Sequence, residues 1–247
     1  MQRKKRKNIL VILGVLILVI GIAIFGYLSD AYEPHQSAIE ALQSTQNVIV
    51  TEGEEYIRFE PKENKYQAGL IFYQGGKVEE EAYALLMRSL AEKGISVYLV
   101  RMPFNLAVFD SDAAEKIINN HEEINNWYLS GHSLGGVMAA SFAEKNPEQL
   151  EGMIFLASYP AGDFSAADLD TLSIYGTNDE VLNTEAYFEA FESLPKVKEE
   201  VIEGGNHAQF GNYGPQEGDG TATISVEEQQ KNTVNGIIEF IEASAEN

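Results

Sequence analysis

The sequence predicts an α/β fold, a mostly parallel sheet with helices on both faces. Three observations carry that prediction. Between residues 47 and 243, short apolar runs rich in β-branched and aromatic residues alternate with stretches of helical periodicity. Most of those runs are continuously apolar, as strands covered on both faces must be. Helix stops and turn residues separate them, Gly94 and Pro103 among them.

The elements follow in order. "NVIVTE" and "EYIRFEP" read as an opening antiparallel pair. "AGLIFYQ" is a buried strand, followed by a helix over 79–93 that Gly94 ends. "ISVYLVRM" is the next strand, then a helix over 111–120. The strand "NWYLSG" runs into a helix over 133–145. "LEGMIFLAS" and "DTLSIYGT" are two more strands, with a helix over 184–193 behind them. "VKEEVIEG" is the last strand, and residues 226–243 form the last helix. In such sheets ligands sit beyond the carboxyl ends of the strands.

Ahead of this domain the chain divides into three pieces. Residues 1–8 hold five of the 17 basic residues, in "RKKRK". Residues 9–28 are uncharged and apolar on all faces, and a helix of that length spans about 30 Å, the thickness of the bilayer hydrocarbon. The positive-inside rule keeps the basic end in the cytoplasm. The expectation is an uncleaved signal anchor in the cell membrane, a single pass with the folded domain on the extracytoplasmic side. A cleaved signal peptide would have a shorter apolar core and a better cleavage site than "GYLSDAYEP". Residues 29–46 are polar and read as a stalk, with a short amphipathic helix in "QSAIEALQSTQ". The domain then runs over 47–247.

Composition excludes several classes. There is no cysteine, hence no disulfide, thiolate metal site or cysteine nucleophile. Beyond the basic tail the chain carries 12 basic residues against 38 acidic ones, a surface that repels phosphate backbones, so no nucleic-acid partner is expected.

The informative stretch is "YLSGHSLGGVMAA". A strand feeding a helix with almost no loop forces a sharp turn, and the residue at its apex, Ser133, projects above the sheet in a strained conformation. Gly131 and Gly135 leave room for the close approach of strand and helix. At a helix N-terminus, developing negative charge is favoured, and the amide of Leu134 is one oxyanion donor. A serine hydroxyl needs a base, and the base a carboxylate to orient it. Of the four histidines, His35 falls in the stalk and His121 reads as surface, while His132 reads as a packed elbow residue. His207, in "EGGNHAQFG", follows the last strand at the edge where Ser133 lies. Asp179, in "IYGTNDE", ends the preceding strand, with Glu180 beside it as a substitute. The second oxyanion amide comes from "GGKVEEEAY", from either Gly76 or Lys77.

With these motifs in place, the chain resembles the α/β-hydrolase superfamily over residues 47–243. The elbow is "GHSLGG", the acid turn "IYGTNDE", the histidine loop "GGNHAQFGNYG" and the oxyanion loop "FYQGGKVEEEAYALL". More narrowly it is similar to small bacterial dienelactone-hydrolase-like proteins, although true dienelactone hydrolases use a cysteine nucleophile that this chain lacks. Many members carry a helical cap between the strands here read as "LEGMIFLAS" and "DTLSIYGT". The short link "YPAGDFSAADLD" leaves no room for a large one.

The function this implies is a membrane-anchored serine hydrolase, cleaving a carboxylic ester or related acyl bond of a small-molecule, lipid or cell-envelope substrate. Ser133, His207 and Asp179 form the triad, and no metal or organic cofactor takes part. Phe104, Asn105, Tyr159 and Tyr213 are the expected pocket walls. The same acyl-enzyme would serve an acyltransferase, and a chain without turnover would be a binding module. Glu217 and Asp219 match no cation-binding spacing.

Overall fold

The computed structural model describes residues 30–245 apart from 163, 193 and 195, together with positions 13, 18, 19, 21 and 26. It divides into two units, Met1–Ala31 and Tyr32–Asn247. In the first, the described positions 13, 18, 19, 21 and 26 are helical. The expected anchor over residues 9–28 otherwise lies outside the described residues, as does the basic tail. Among the described residues no helix is long and apolar enough to cross a membrane.

The second unit is built on one eight-stranded sheet. Its strands are β1 (Val48–Glu52), β2 (Tyr56–Pro61), β3 (Ala68–Tyr73), β4 (Ser96–Val100), β5 (Asn126–His132), β6 (Gly152–Leu156), β7 (Asp170–Gly176) and β8 (Val197–Ile202). Their spatial order is β1-β2-β4-β3-β5-β6-β7-β8. The first two strands pair antiparallel, as does β2 with β4, and every later pairing is parallel. The helices are α1 (Gln36–Glu40), α2 (Ala84–Glu92), α3 (Ala113–Asn120), α4 (Leu134–Lys145), α5 (Thr184–Glu192) and α6 (Val226–Ala245).

Strand β3 is buried at every position. Its side chains alternate between two cores, as a pleated strand requires. Leu70 and Phe72 pack with residues of α2 and α6, whereas Ile71 and Tyr73 pack with residues of α3 and α4. Each fully buried Leu, Ile or Phe contributes about 1.5–3 kcal/mol. Both faces of the central strands are therefore covered, which leaves the strand ends for a site.

Residues 32–46 are not a stalk. Tyr32 N–H donates to the Lys77 carbonyl at 2.7 Å, and Glu79 N–H donates back to Tyr32 at 3.0 Å. His35 N–H donates to Asn212 at 2.7 Å, and Ala38 and Ala41 are fully buried. The small apolar face of α1 seals against the domain, so the folded unit begins at Tyr32 and not near residue 47. That segment clips onto the loop after β3.

Between β6 and β7 the described residues form only one 3-10 turn, Ser165–Ala167. No helix of that stretch covers the strand ends.

At the neighbouring edge, Arg101 gathers three acids. Its guanidinium donates to Glu80, to Glu81 at 3.0 Å and to Glu52 at 3.4 Å. Burial, with Glu81 alongside, pushes the Glu80 carboxyl up to about 7; a guanidinium shared among three carboxylates only partly offsets this. Between its ordinary range and that value the fold holds a proton the unfolded chain has lost, so Glu80 removes stability as pH climbs from about 4.5 to 7. Glu80→Gln lacks this slope. Urea unfolding is expected to show the variant gaining about 1–3 kcal/mol on wild type between pH 5 and pH 8. A constant difference across that range would refute it.

Candidate active site

Strand β5 passes into α4 through Ser133 alone, at φ 51° and ψ −124°. A non-glycine residue held there costs about 1–3 kcal/mol and persists only when its surroundings over-determine it. Here they do. Ser133 N–H donates to the Leu156 carbonyl at 3.0 Å, and its own carbonyl accepts from Gly136 N–H at 3.0 Å and from the Ser158 hydroxyl at 2.7 Å.

The glycines are demanded by close approach. A Cβ on Gly131 would lie 2.5 Å from the main chain of Gly135 and Gly136. One on Gly135 would lie 2.3 Å from the carbonyl oxygens of both Tyr73 and Gln74. These obstacles are backbone and cannot swing aside. Gly135→Ala is expected to destabilise the fold by more than about 3 kcal/mol. A thermal midpoint within about 2 °C of wild type would contradict this, since 1 kcal/mol shifts it by about 2–4 °C at this size.

Asp179 and His207 are brought together from the ends of β7 and β8. The His207 Nδ1–H donates to Asp179 Oδ2 at 2.9 Å, and the two side chains are 2% and 1% exposed. The other carboxylate oxygen, Oδ1, accepts from Val181 N–H at 2.9 Å and Leu182 N–H at 2.8 Å. Three N–H donors around one carboxyl suit the ionised form. Because Nδ1 carries the proton, Nε2 presents a lone pair; it is buried and has no hydrogen-bond partner. Ser133 and His207 are thus not hydrogen-bonded to each other. Glu180, the alternative acid, is exposed.

Asp219 holds the histidine loop. Its carboxylate accepts from the main-chain N–H of His207 at 3.2 Å, Ala208 at 2.9 Å and Gly220 at 2.8 Å. The sequence shows an acid in a glycine-rich loop; only folding shows which amides it meets.

The amide of Leu134, first residue of α4, has no acceptor within its helix. Gly76 lies against the Leu134 side chain: a Cβ there would stand 3.0 Å from Leu134 Cδ2. Lys77 is a different matter. Its N–H donates to the Asn105 carbonyl at 2.8 Å, so that amide is already occupied.

Residues 69–231, well over half of the chain, match the profile of the alpha/beta hydrolase family. The chain belongs to that family. Solved structures agree on the fold. TT1662 from Thermus thermophilus superposes with a TM-score of 0.60 at 13% identity, covering 80% of this chain and 99% of that one. A predicted CIB-like hydrolase from Thermoplasma acidophilum gives 0.58 at 15% identity, over 78% and 99%. Est1E from Butyrivibrio proteoclasticus gives 0.58 at 14%, over 80% and 100%. The sequence matches no curated protein.

The expected pocket walls of this alpha/beta hydrolase divide. Tyr159 is half-buried and lines, with Pro160, Ala186 and Glu189, an open cleft of about 500 Å³. Phe104 is 55% exposed, at φ 55°, its ring edge-on to Phe109 at 5.7 Å. Asn105, expected as a wall, instead braces the loop after β3: its side chain accepts from Gln74 Nε2 at 3.1 Å while its carbonyl holds Lys77. Tyr213, also expected as a wall, is buried. It is 6% exposed, with its ring 5.4 Å from Tyr32 and 6.5 Å from Tyr83, because a large ring in this loop is worth more to the core than to a cleft. Among the described residues, no group of three or more His, Asp or Glu is placed to hold a metal ion.

Proposed function

We propose that this alpha/beta hydrolase is a serine hydrolase that cleaves a carboxylic ester or related acyl bond through an acyl-enzyme. One observation carries the reading: a buried imidazole, oriented by a buried carboxylate, presents an unpartnered Nε2 at the strand edge where a strained serine stands. Ser133 Oγ attacks the carbonyl while His207 Nε2 takes its proton. The tetrahedral oxyanion is met by the amides of Leu134 and Gly76, donors that typically contribute about 3–4 kcal/mol each. Collapse expels the alcohol, which receives the proton from His207. Water, deprotonated by the same nitrogen, then releases the acid and restores the hydroxyl. Asp179 keeps the imidazole in the accepting tautomer.

The short link over residues 157–169 favours hydrolysis over transfer, because an acyl-enzyme without a lid lies open to water. Phe104 and Tyr159 are the proposed contacts for the substrate. We assign residues 9–28 as the membrane anchor, with the domain on the extracytoplasmic side, on the strength of an uncharged apolar run behind "RKKRK".

One experiment tests both parts. Cells expressing the full chain are fractionated, the membranes washed with alkaline carbonate, and all fractions treated with a fluorophosphonate probe. A labelled chain in the washed membranes is expected. Label in the soluble fraction would remove the anchor, and an unlabelled chain would remove the serine chemistry.

A further inference from the structure

His132 precedes the nucleophile and is 1% exposed. It does not merely fill space. Its Nε2 lies 3.1 Å from the main-chain carbonyl of His207, and its Nδ1 lies 2.8 Å from the Tyr83 hydroxyl. Tyr83 in turn accepts from Gly75 N–H at 3.1 Å.

Elementary donor–acceptor logic orders this chain completely. A carbonyl only accepts, so His132 Nε2 must carry the proton. In a neutral ring Nδ1 then accepts, so Tyr83 donates its only proton there. The Tyr83 oxygen is left to accept from Gly75. Each N–H and O–H of this hydrogen-bond chain thus has one acceptor. The site is shaped for it: a Cβ on Gly75 would sit 2.7 Å from His132 Nδ1 and 2.8 Å from the Tyr83 hydroxyl, on the bond itself.

We propose that His132 is a positioning residue: a permanently neutral imidazole, its proton fixed on Nε2, that ties the oxyanion loop at Gly75 and the histidine loop at His207 to the serine turn. The idea rests on the proposed Ser133–His207 chemistry, and it names what sets the spacing of the three parts. Gly75 adjoins the assigned oxyanion amide, His132 adjoins the nucleophile, and His207 carries the base. One side chain therefore spans all three.

Neutrality also matters for where the proton goes. The His132 and His207 rings lie 4.5 Å apart, and two imidazolium ions at that separation repel. The groups facing His132 are Tyr83, His207 and the Phe210 ring at 5.6 Å, none of them an anion. Burial and the neighbouring His207 hold its basicity well below that of an ordinary histidine, and burial raises the Tyr83 phenol so that it stays protonated. With Asp179 against His207 and nothing anionic against His132, the serine proton has one destination.

The test uses the full chain labelled with 15N-histidine. His132 is expected as a neutral Nε2–H tautomer with shifts constant from pH 8 to pH 5. Titration in that range, or an Nδ1–H tautomer, would overturn the proposal without any variant being made. The His207 Nδ1 proton, shared with Asp179, supplies a second signal. His132→Asn and Tyr83→Phe are expected to move it, whereas His132→Gln, whose amide still donates to the His207 carbonyl, leaves it in place. On an aryl ester the first two variants lose kcat by about tenfold to a hundredfold with KM within about threefold, and His132→Gln recovers most of the loss. Wild-type kcat and an unmoved proton in folded His132→Asn would refute the positioning role. Absence of labelling and turnover in wild type would instead refute the serine hydrolase reading, and the His207 proton would still decide whether His132 sets that ring.

Discussion

Ser133→Ala folds like wild type, takes up no fluorophosphonate and loses about 10⁵-fold or more of kcat on an aryl ester. The size follows from what remains. Removing the nucleophile of a triad costs about 2 × 10⁶ in kcat where it has been measured, and what survives over water comes from oxyanion donors and binding. The folding expectation is specific to this turn. Alanine keeps the Cβ and the main-chain bonds to Leu156, Gly136 and Ser158 that hold φ at 51°. It gives up only a hydroxyl that is not among the bonds restraining that backbone. A thermal melt therefore separates lost chemistry from lost fold. Equal labelling of variant and wild type would end the proposal that Ser133 is the nucleophile.

Asp179→Asn is expected to lower kcat by about 10⁴-fold with little change in stability or KM. Two amides, Val181 and Leu182, point at Oδ1. They require an oxygen there, so the side-chain amide of asparagine must turn its NH2 toward His207 Nδ1, 2.9 Å away in the parent. Two donors cannot face each other. The imidazole relieves the clash by moving its proton to Nε2, and the lone pair that should accept the serine proton is gone. The same variant should slow probe labelling by a similar factor, because labelling needs the same deprotonation. A kcat within tenfold of wild type would show that Asp179 does not set the tautomer.

These variants lie in motifs that are plain in one dimension. The turn at Ser133 announces itself by glycines two places on either side of a serine, between an apolar strand and a small-residue helix. Asp179 and His207 each stand just past a strand end, and a parallel sheet puts consecutive strand ends at one edge. Contacts between distant segments were not visible. Tyr83 and His132 lie 49 positions apart, and nothing local in either neighbourhood asks for the other. Asn105 reads as a pocket wall, yet its carbonyl occupies the amide of Lys77. Residues 32–46 read as polar linker because α1 is only five residues long, and the two alanines that bury its face are too weak a signal to stand out. Tyr213 reads as a loop aromatic available to ligand, while in space it fills the gap between Tyr32 and Tyr83.

Local pattern alone determined the strand and helix order, the elbow at Ser133, and the rim on which Asp179 and His207 must fall, because periodicity and close-packing glycines act over a few residues. Tertiary structure decided the pairing of His207 with Asp179, the occupied amide of Lys77, the clamp at Asp219 and the bridge through His132. Each of those depends on which donor meets which acceptor across segments far apart in the chain, and hydrogen bonding is directional over about 3 Å, a distance that no spacing along the sequence encodes.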